Sequence, residues 1–238
     1  MKKLLGFGAV ALALAGCGGG KVTISSRVGT RTPTALTAAS QGSQLTLAGG
    51  DVTIDDVKII VRRIRLEPTV APTGESSAGE DELGIGPFPL EFTAADLAGG
   101  TLVHEFTANV DGGTYKQIKF EIHKVEDADV QAASAADAAL LTEMKGLSVK
   151  IHGFYLSKEF TFTSALDEEQ EREGTFNVGG DSGLTLNIDP TGWFADPSNA
   201  AVTLDPGDSA NKSKIESNIK ASIDVYDDDD HDGKPDPS

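Results

Sequence analysis

The chain has 238 residues, enough for one sizeable domain or two small ones. Its 39% hydrophobic and 24% charged residues exclude a polytopic membrane protein and argue against wholesale disorder. Twenty Lys and Arg against 37 Asp and Glu leave a formal charge of −17, which disfavours nucleic acid and anionic lipid as partners, since both bind cationic surface.

The first element is a leader. Lys2 and Lys3 form a positive start, and Leu4 to Leu14 is an apolar run too short to span ~30 Å of hydrocarbon. Leu14-Ala15-Gly16-Cys17 follows and resembles the lipobox of bacterial lipoproteins. That resemblance implies that residues 1–16 are a signal peptide and that Cys17 is the lipidation site, anchoring the protein in a membrane. Cys17 is the only cysteine, so it cannot pair within the chain. Gly18 after the cysteine, where retention signals carry Asp, implies an outer-membrane or surface destination.

Residues 17–44 are rich in Gly, Thr, Ser and Ala and read as the acylated cysteine and a flexible tether carrying Lys21, Arg27 and Arg31. From 45 to 226 the apolar period is two. Val57, Ile59 and Val61 alternate, then Ile64 and Leu66 continue in the opposite phase, which predicts a β-bulge near Arg62-Arg63. Ile118, Phe120 and Ile122, then Val149 and Ile151, then Leu184, Leu186 and Ile188 mark further strands with one buried face. Gly-rich turns separate these runs, so the expected fold is all-β, an antiparallel β-sandwich. Residues 127–145 predict an inserted helix. Ile215, Ile219 and Ile223 predict a C-terminal helix over 209–224, with Ser213 and Glu216 as a capping box. Residues 68–87 and 164–174 read as long acidic loops. The last segment, 227–238, reads as an acidic tail outside the core.

Val57 to Glu67, Pro87-Phe88-Pro89-Leu90, Gly113-Thr114-Tyr115-Lys116-Gln117-Ile118-Lys119 and Leu184-Thr185-Leu186-Asn187-Ile188-Asp189 together resemble a domain-of-unknown-function family of bacterial surface lipoproteins. The resemblance implies a transthyretin-like, carboxypeptidase-regulatory-like or immunoglobulin-like sandwich over about residues 45–195. It supplies no catalytic residues. Tyr115 then starts a strand over the sandwich edge, Asp189 caps the Thr191-Gly192 turn and Trp193 closes the core.

Motifs for a serine hydrolase, a zinc protease, a phosphate loop and a dithiol site are absent from the sequence. His123 and His152 read as outward-facing, and on neighbouring strands such a pair would offer a transition-metal site. The sharpest motif is Asp228-x-Asp230-x-Asp232-Gly233-Lys234-Pro235-Asp236, which resembles the calcium loop of thrombospondin type 3 repeats. The resemblance gives the carboxylates of Asp228, Asp230, Asp232 and Asp236 and the Lys234 carbonyl as calcium ligands, with a weak site because the shell is incomplete. A solvated acidic tail is the plainer alternative. The expected function is a non-catalytic binding, presenting or accessory protein of the cell envelope, with an envelope protein or glycan as partner and no nucleic acid. The alternatives are an envelope hydrolase or carbohydrate-active enzyme using loop carboxylates, or a structural accessory of an envelope assembly.

Overall fold

A computed structural model describes residues 20–29, 44–47, 50–69, 81–84, 86–99 and 102–236. The leader, Cys17, Arg31 and residues 70–80 of the first acidic segment lie outside the described residues, as do the side chains of 103–106. Strands β1 (Gly20–Val28), β2 (Leu45–Thr46), β3 (Val52–Pro68), β4 (Asp81–Gly84) and β5 (Phe88–Thr93) lead through helix α1 (Ala94–Gly99) to β6 (Val103–Val110) and β7 (Gly113–Ile122). Helices α2 (Asp127–Ala132) and α3 (Ala138–Glu143) precede β8 (Val149–Tyr155), β9 (Lys158–Ser164), β10 (Glu168–Val178) and β11 (Asp181–Ile188). The small β12 (Ala195–Asp196) and β13 (Asn199–Thr203) hairpin, α4 (Lys212–Ala221) and β14 (Ile223–Asp227) complete the order.

The fold is all-β and sandwich-like. One sheet has the order β14-β11-β1-β6. The other is built on β3, a 17-residue spine. β8 pairs with Val52–Ile59 and β7 with Val61–Pro68 along one edge of β3, while β2, β5 and β4 tile its other edge. The handover from β8 to β7 falls at Ile60, and the expected bulge follows within the β7 pairing, where the register shifts between Arg62 and Arg65 and Arg63 has φ 51°. That extra residue restores Ile64 and Leu66 to the core face that Val57, Ile59 and Val61 occupy.

Ile118, Phe120, Ile122, Val149, Ile151, Leu184, Leu186 and Ile188 are all buried in one core between the sheets, as their alternation predicts. Ile60 faces the other way. It is covered by Val125, Leu141 and Met144, so the insert of α2 and α3 serves as its lid. Lys58 and His123 pin that lid. Lys58 Nζ lies 3.1 Å from Glu143 on α3, and His123 Nε2 lies 2.8 Å from Asp129 Oδ2 on α2.

Several expectations are corrected. The expected tether contains β1, a central strand that places Val22, Ile24 and Val28 in the core, so the domain begins by Gly20 rather than at 45. β1 runs parallel to β11, so the sandwich is not purely antiparallel. Residues 168–173, expected as loop, form the first half of edge strand β10, whose charges are matched across the sheet by Arg65 with Glu169 and Lys119 with Glu171. Ile223 leaves the C-terminal helix to start β14. The capping box is absent: Asn211 is the N-cap, and Glu216 Oε1 instead accepts from Ser164 Oγ at 2.7 Å. The inserted helix is two short helices joined by a turn.

Candidate metal centre at the acidic end

β11 and β14 pair from Ile188↔Ile223 to Leu184↔Asp227, so the chain leaves β14 beside the start of β11. There Asp228 N donates to Gly183 O at 2.9 Å, carrying the ladder one step further. Gly183 is required at this contact, since a Cβ there would run into the Asp228 carbonyl. The Asp228 side chain turns inward and is fully buried. Its carboxylate accepts from Thr185 Oγ1 at 2.5 Å and from Gly233 N at 3.1 and 3.2 Å.

These bonds draw 228–233 into a closed loop, with Gly233 at φ 76°. The Gly233 carbonyl accepts from Tyr226 Oη at 2.8 Å and from the buried Arg27 guanidinium. Two Asx turns shape the outer side: Asp230 Oδ1 accepts from Asp232 N at 3.1 Å, and Asp232 Oδ1 from Lys234 N at 2.8 Å. The acidic tail is therefore a built part of the fold, contrary to its reading as a segment outside the core. Both oxygens of the buried Asp228 carboxylate are matched to donors, which offsets the cost of taking them out of water.

The structure brings together one oxygen each from Asp228, Asp230 and Asp232, all within 4.8 Å of one another. Oxygens that share a calcium ion at ~2.3–2.6 Å are separated by no more than about 5 Å, so this triad fits a hard cation. It does not include Asp236, which corrects that expected ligand. Asp236 Oδ2 accepts from Asp229 N at 2.7 Å, and its own N donates to Asp227 O at 3.0 Å. What Lys234 brings to the triad is its ammonium, paired with Asp232 and holding that carboxyl below the usual carboxylate range. A cation would compete with Lys234 for Asp232 and with Thr185 and Gly233 for Asp228. Three carboxylates also fall short of the six to eight oxygens that calcium takes.

Beside the loop, edge strands β10 and β14 enclose a cleft of about 600 Å³ lined by Glu173, Asp224, Asp227, Asp229 and Asp236. Asp227 Oδ1 is buried there without a hydrogen-bond partner. Burial pushes its carboxyl up to about 6, helped by the charges of Asp229 and Asp236 and opposed by the Asn177 backbone N–H.

His123 and His152 do not come together as a pair. His123 is buried, with Nδ1 3.2 Å from Asp167 Oδ1 and Nε2 on Asp129, which corrects its outward assignment. His152 is half-buried on β8, between Asp55 at 2.5 Å and Glu159 at 3.0 Å, and these carboxylates raise its pKa. β7 and β8 meet different halves of β3, so the two imidazoles belong to separate ion-pair networks.

Tyr115, Asp189 and Trp193 take the structural places expected. Tyr115 is buried and its hydroxyl donates to Asp111 O at 2.6 Å. Asp189 Oδ1 accepts from Thr191 N at 3.0 Å, and buried Trp193 donates from Nε1 to Ser222 Oγ at 2.7 Å. Sequence reasoning missed Arg27, Thr185 and Gly183. The alternating Val22-x-Ile24 pattern was the available signal for Arg27. Thr185 and Gly183 carry none, because they act on a segment more than forty residues away. No family model matches the chain, and no curated protein or solved structure matches it either.

Proposed function

We propose that this chain is a lipid-anchored protein of the bacterial cell envelope, held in the outer membrane by acylated Cys17, whose β domain binds or presents a partner and does not catalyse. One observation carries the reading. The Leu14-Ala15-Gly16-Cys17 motif ends three residues before β1 begins, so cleavage ahead of Cys17 leaves every described strand whole. The buried polar groups support the non-catalytic part: Asp228, His123, Lys58 and Arg27 are each committed to structural partners. An envelope protein or glycan is the partner class.

Cys17→Ala tests the anchor. The parent partitions into detergent and fractionates with outer membrane, and the variant becomes soluble or stays unprocessed; unchanged fractionation of the variant refutes the proposal.

The convergence of Asp228, Asp230 and Asp232 favours a second role, weak calcium binding, at affinities of ~10⁻⁴–10⁻³ M. Calorimetry with millimolar calcium should show heat that magnesium does not reproduce and that Asp230→Asn plus Asp232→Asn abolishes. Equal responses to both ions, or no effect of the double variant, leave a structural acidic loop.

A further inference from the structure

The position of β1 fixes more than the domain boundary. Gly20, its first residue, is three residues from Cys17, a reach of at most about 10 Å even when fully extended. A domain of roughly 180 residues has a radius of gyration of about 16 Å. The link to the anchor is thus shorter than the body it holds, and the end of the sandwich that contains Gly20 has to face the membrane.

The sheet register says what else lies at that end. β1 and β11 run parallel, away from it, with Lys21 opposite Asp181. β6 and β14 run toward it, with Gly20 opposite Val110 and Asp227 opposite Leu184. The β6–β7 turn at Asp111-Gly112, the β10–β11 turn at Gly179-Gly180 and the 228–236 loop therefore share the end with Gly20. Both turns are exposed and tipped with glycine, so no bulky side chain holds the backbone off a surface. Among the described residues, the exposed large hydrophobic side chains are Leu156 and Val202, and both lie on the opposite half of the molecule. The near end instead exposes Asp111, Asp181, Asp229, Asp230 and Asp232, which outnumber the exposed Lys21 and Lys234 there.

We propose that the sandwich is seated on the lipid bilayer by this end, with the two glycine turns and the aspartate loop against the headgroups. The surface it fits is a zwitterionic layer bearing ammonium groups, because carboxylates pair with ammonium and are repelled by anionic headgroups. With no large apolar side chain exposed among the described residues of this end, the contact stays in the headgroup plane. The seating rests on the acylation of Cys17 proposed above.

The test uses the acylated full chain in phosphatidylethanolamine–phosphatidylcholine vesicles that carry a headgroup quencher. Acylation consumes the native thiol, so single introduced cysteines can be labelled uniquely. Gly113→Cys and Gly179→Cys report the near end; both positions are exposed and leave open space for a Cβ. Lys158→Cys and Val202→Cys report the far end. Quenching at 113 and 179 should exceed that at 158 and 202 by at least twofold. Replacing a third of the lipid with phosphatidylglycerol should shrink that ratio, and millimolar calcium should restore it. Equal quenching at the two ends, or stronger quenching at 158 and 202, overturns the seating while the protein still partitions with membrane. A ratio indifferent to phosphatidylglycerol overturns the headgroup assignment. A chain that never acquires acyl groups, shown by its mass and detergent partitioning, removes the anchor itself and the seating with it.

Discussion

At the end of the sandwich where β11 finishes, Trp193 is fully buried, Ile215 and Ile219 of α4 pack on the core, and the Arg172 guanidinium donates to the carbonyls of Lys220 and Ile223. At the end where β11 starts, the closure is made by hydrogen bonds among Asp228, Thr185, Gly183 and Gly233. The first end is closed mainly by water exclusion, which involves no titrating group. The second is closed by charged acceptors on backbone and hydroxyl donors, which is strong only while each group keeps its partner. A single domain thus has one end fixed by burial and one end held by hydrogen bonds to ionisable groups.

That contrast gives its largest predicted effect at the apolar end. Trp193→Ala removes a fully buried ring and leaves the Ser222 hydroxyl without its donor. The expected loss is about 3–5 kcal/mol, read as a lower urea midpoint at unchanged slope. A midpoint like the parent's would show that α4 alone closes that end. Next comes Gly183→Ala, whose methyl would press on the Asp228 carbonyl. The expected cost is about 1–3 kcal/mol, and amide exchange should speed up in 228–236 while staying slow around Trp193. Equal acceleration at both ends would make the two closures one cooperative unit and break the comparison.

How far the two ends were legible in the sequence follows from the same physics. Burial of one strand face writes itself as alternation, so Ile118-Phe120-Ile122 and Leu184-Leu186-Ile188 were readable, and the bulge at Arg62-Arg63 showed as a phase slip. Trp193 was readable as core because a lone large aromatic after a strand has few other places to go. The acidic end was legible only as a motif. Asp228 looks like any other member of an Asp run, and what buries it, Thr185 and the Gly183 backbone, belongs to a strand more than forty residues earlier. β1 was hidden for a related reason. Its Ser25, Ser26 and Arg27 look solvent-facing, but a central strand between β11 and β6 buries both of its faces. Parallel pairing of residues 21–28 with 181–188 leaves no local trace at all.

The smallest predicted effect separates the two ends by titration. Asp227 at the acidic end has its carboxyl pushed up to about 6 by burial, from an ordinary value of 3.8 in the unfolded chain. Between those values the folded state binds the proton more tightly than the unfolded one, so this group's contribution to stability falls as pH rises from about 4 to 6 and is lost above. The cost at neutral pH is on the order of 1–2 kcal/mol, less than the full shift implies because one side of Asp227 meets the solvent of the cleft. Glu67 and Glu143, held below their ordinary 4.5 by lysine partners, add a slope of opposite sign at the acid edge of that window, and the remaining shifted groups act outside it. Asp129 and Asp167, held low against their partial burial by backbone N–H groups and His123, stabilise the fold above the ordinary carboxylate value and lose their effect only as pH falls through their folded values. His152, raised by Asp55 and Glu159, stabilises below its ordinary 6.5 and loses that effect as pH rises through its folded value. Urea unfolding at several pH values from 4 to 6 should therefore show a slope that Asp227→Asn flattens, whereas Trp193→Ala lowers the whole curve without changing its shape. A slope that survives Asp227→Asn would place the titrating group elsewhere and leave the acidic end no more sensitive to protons than the apolar one.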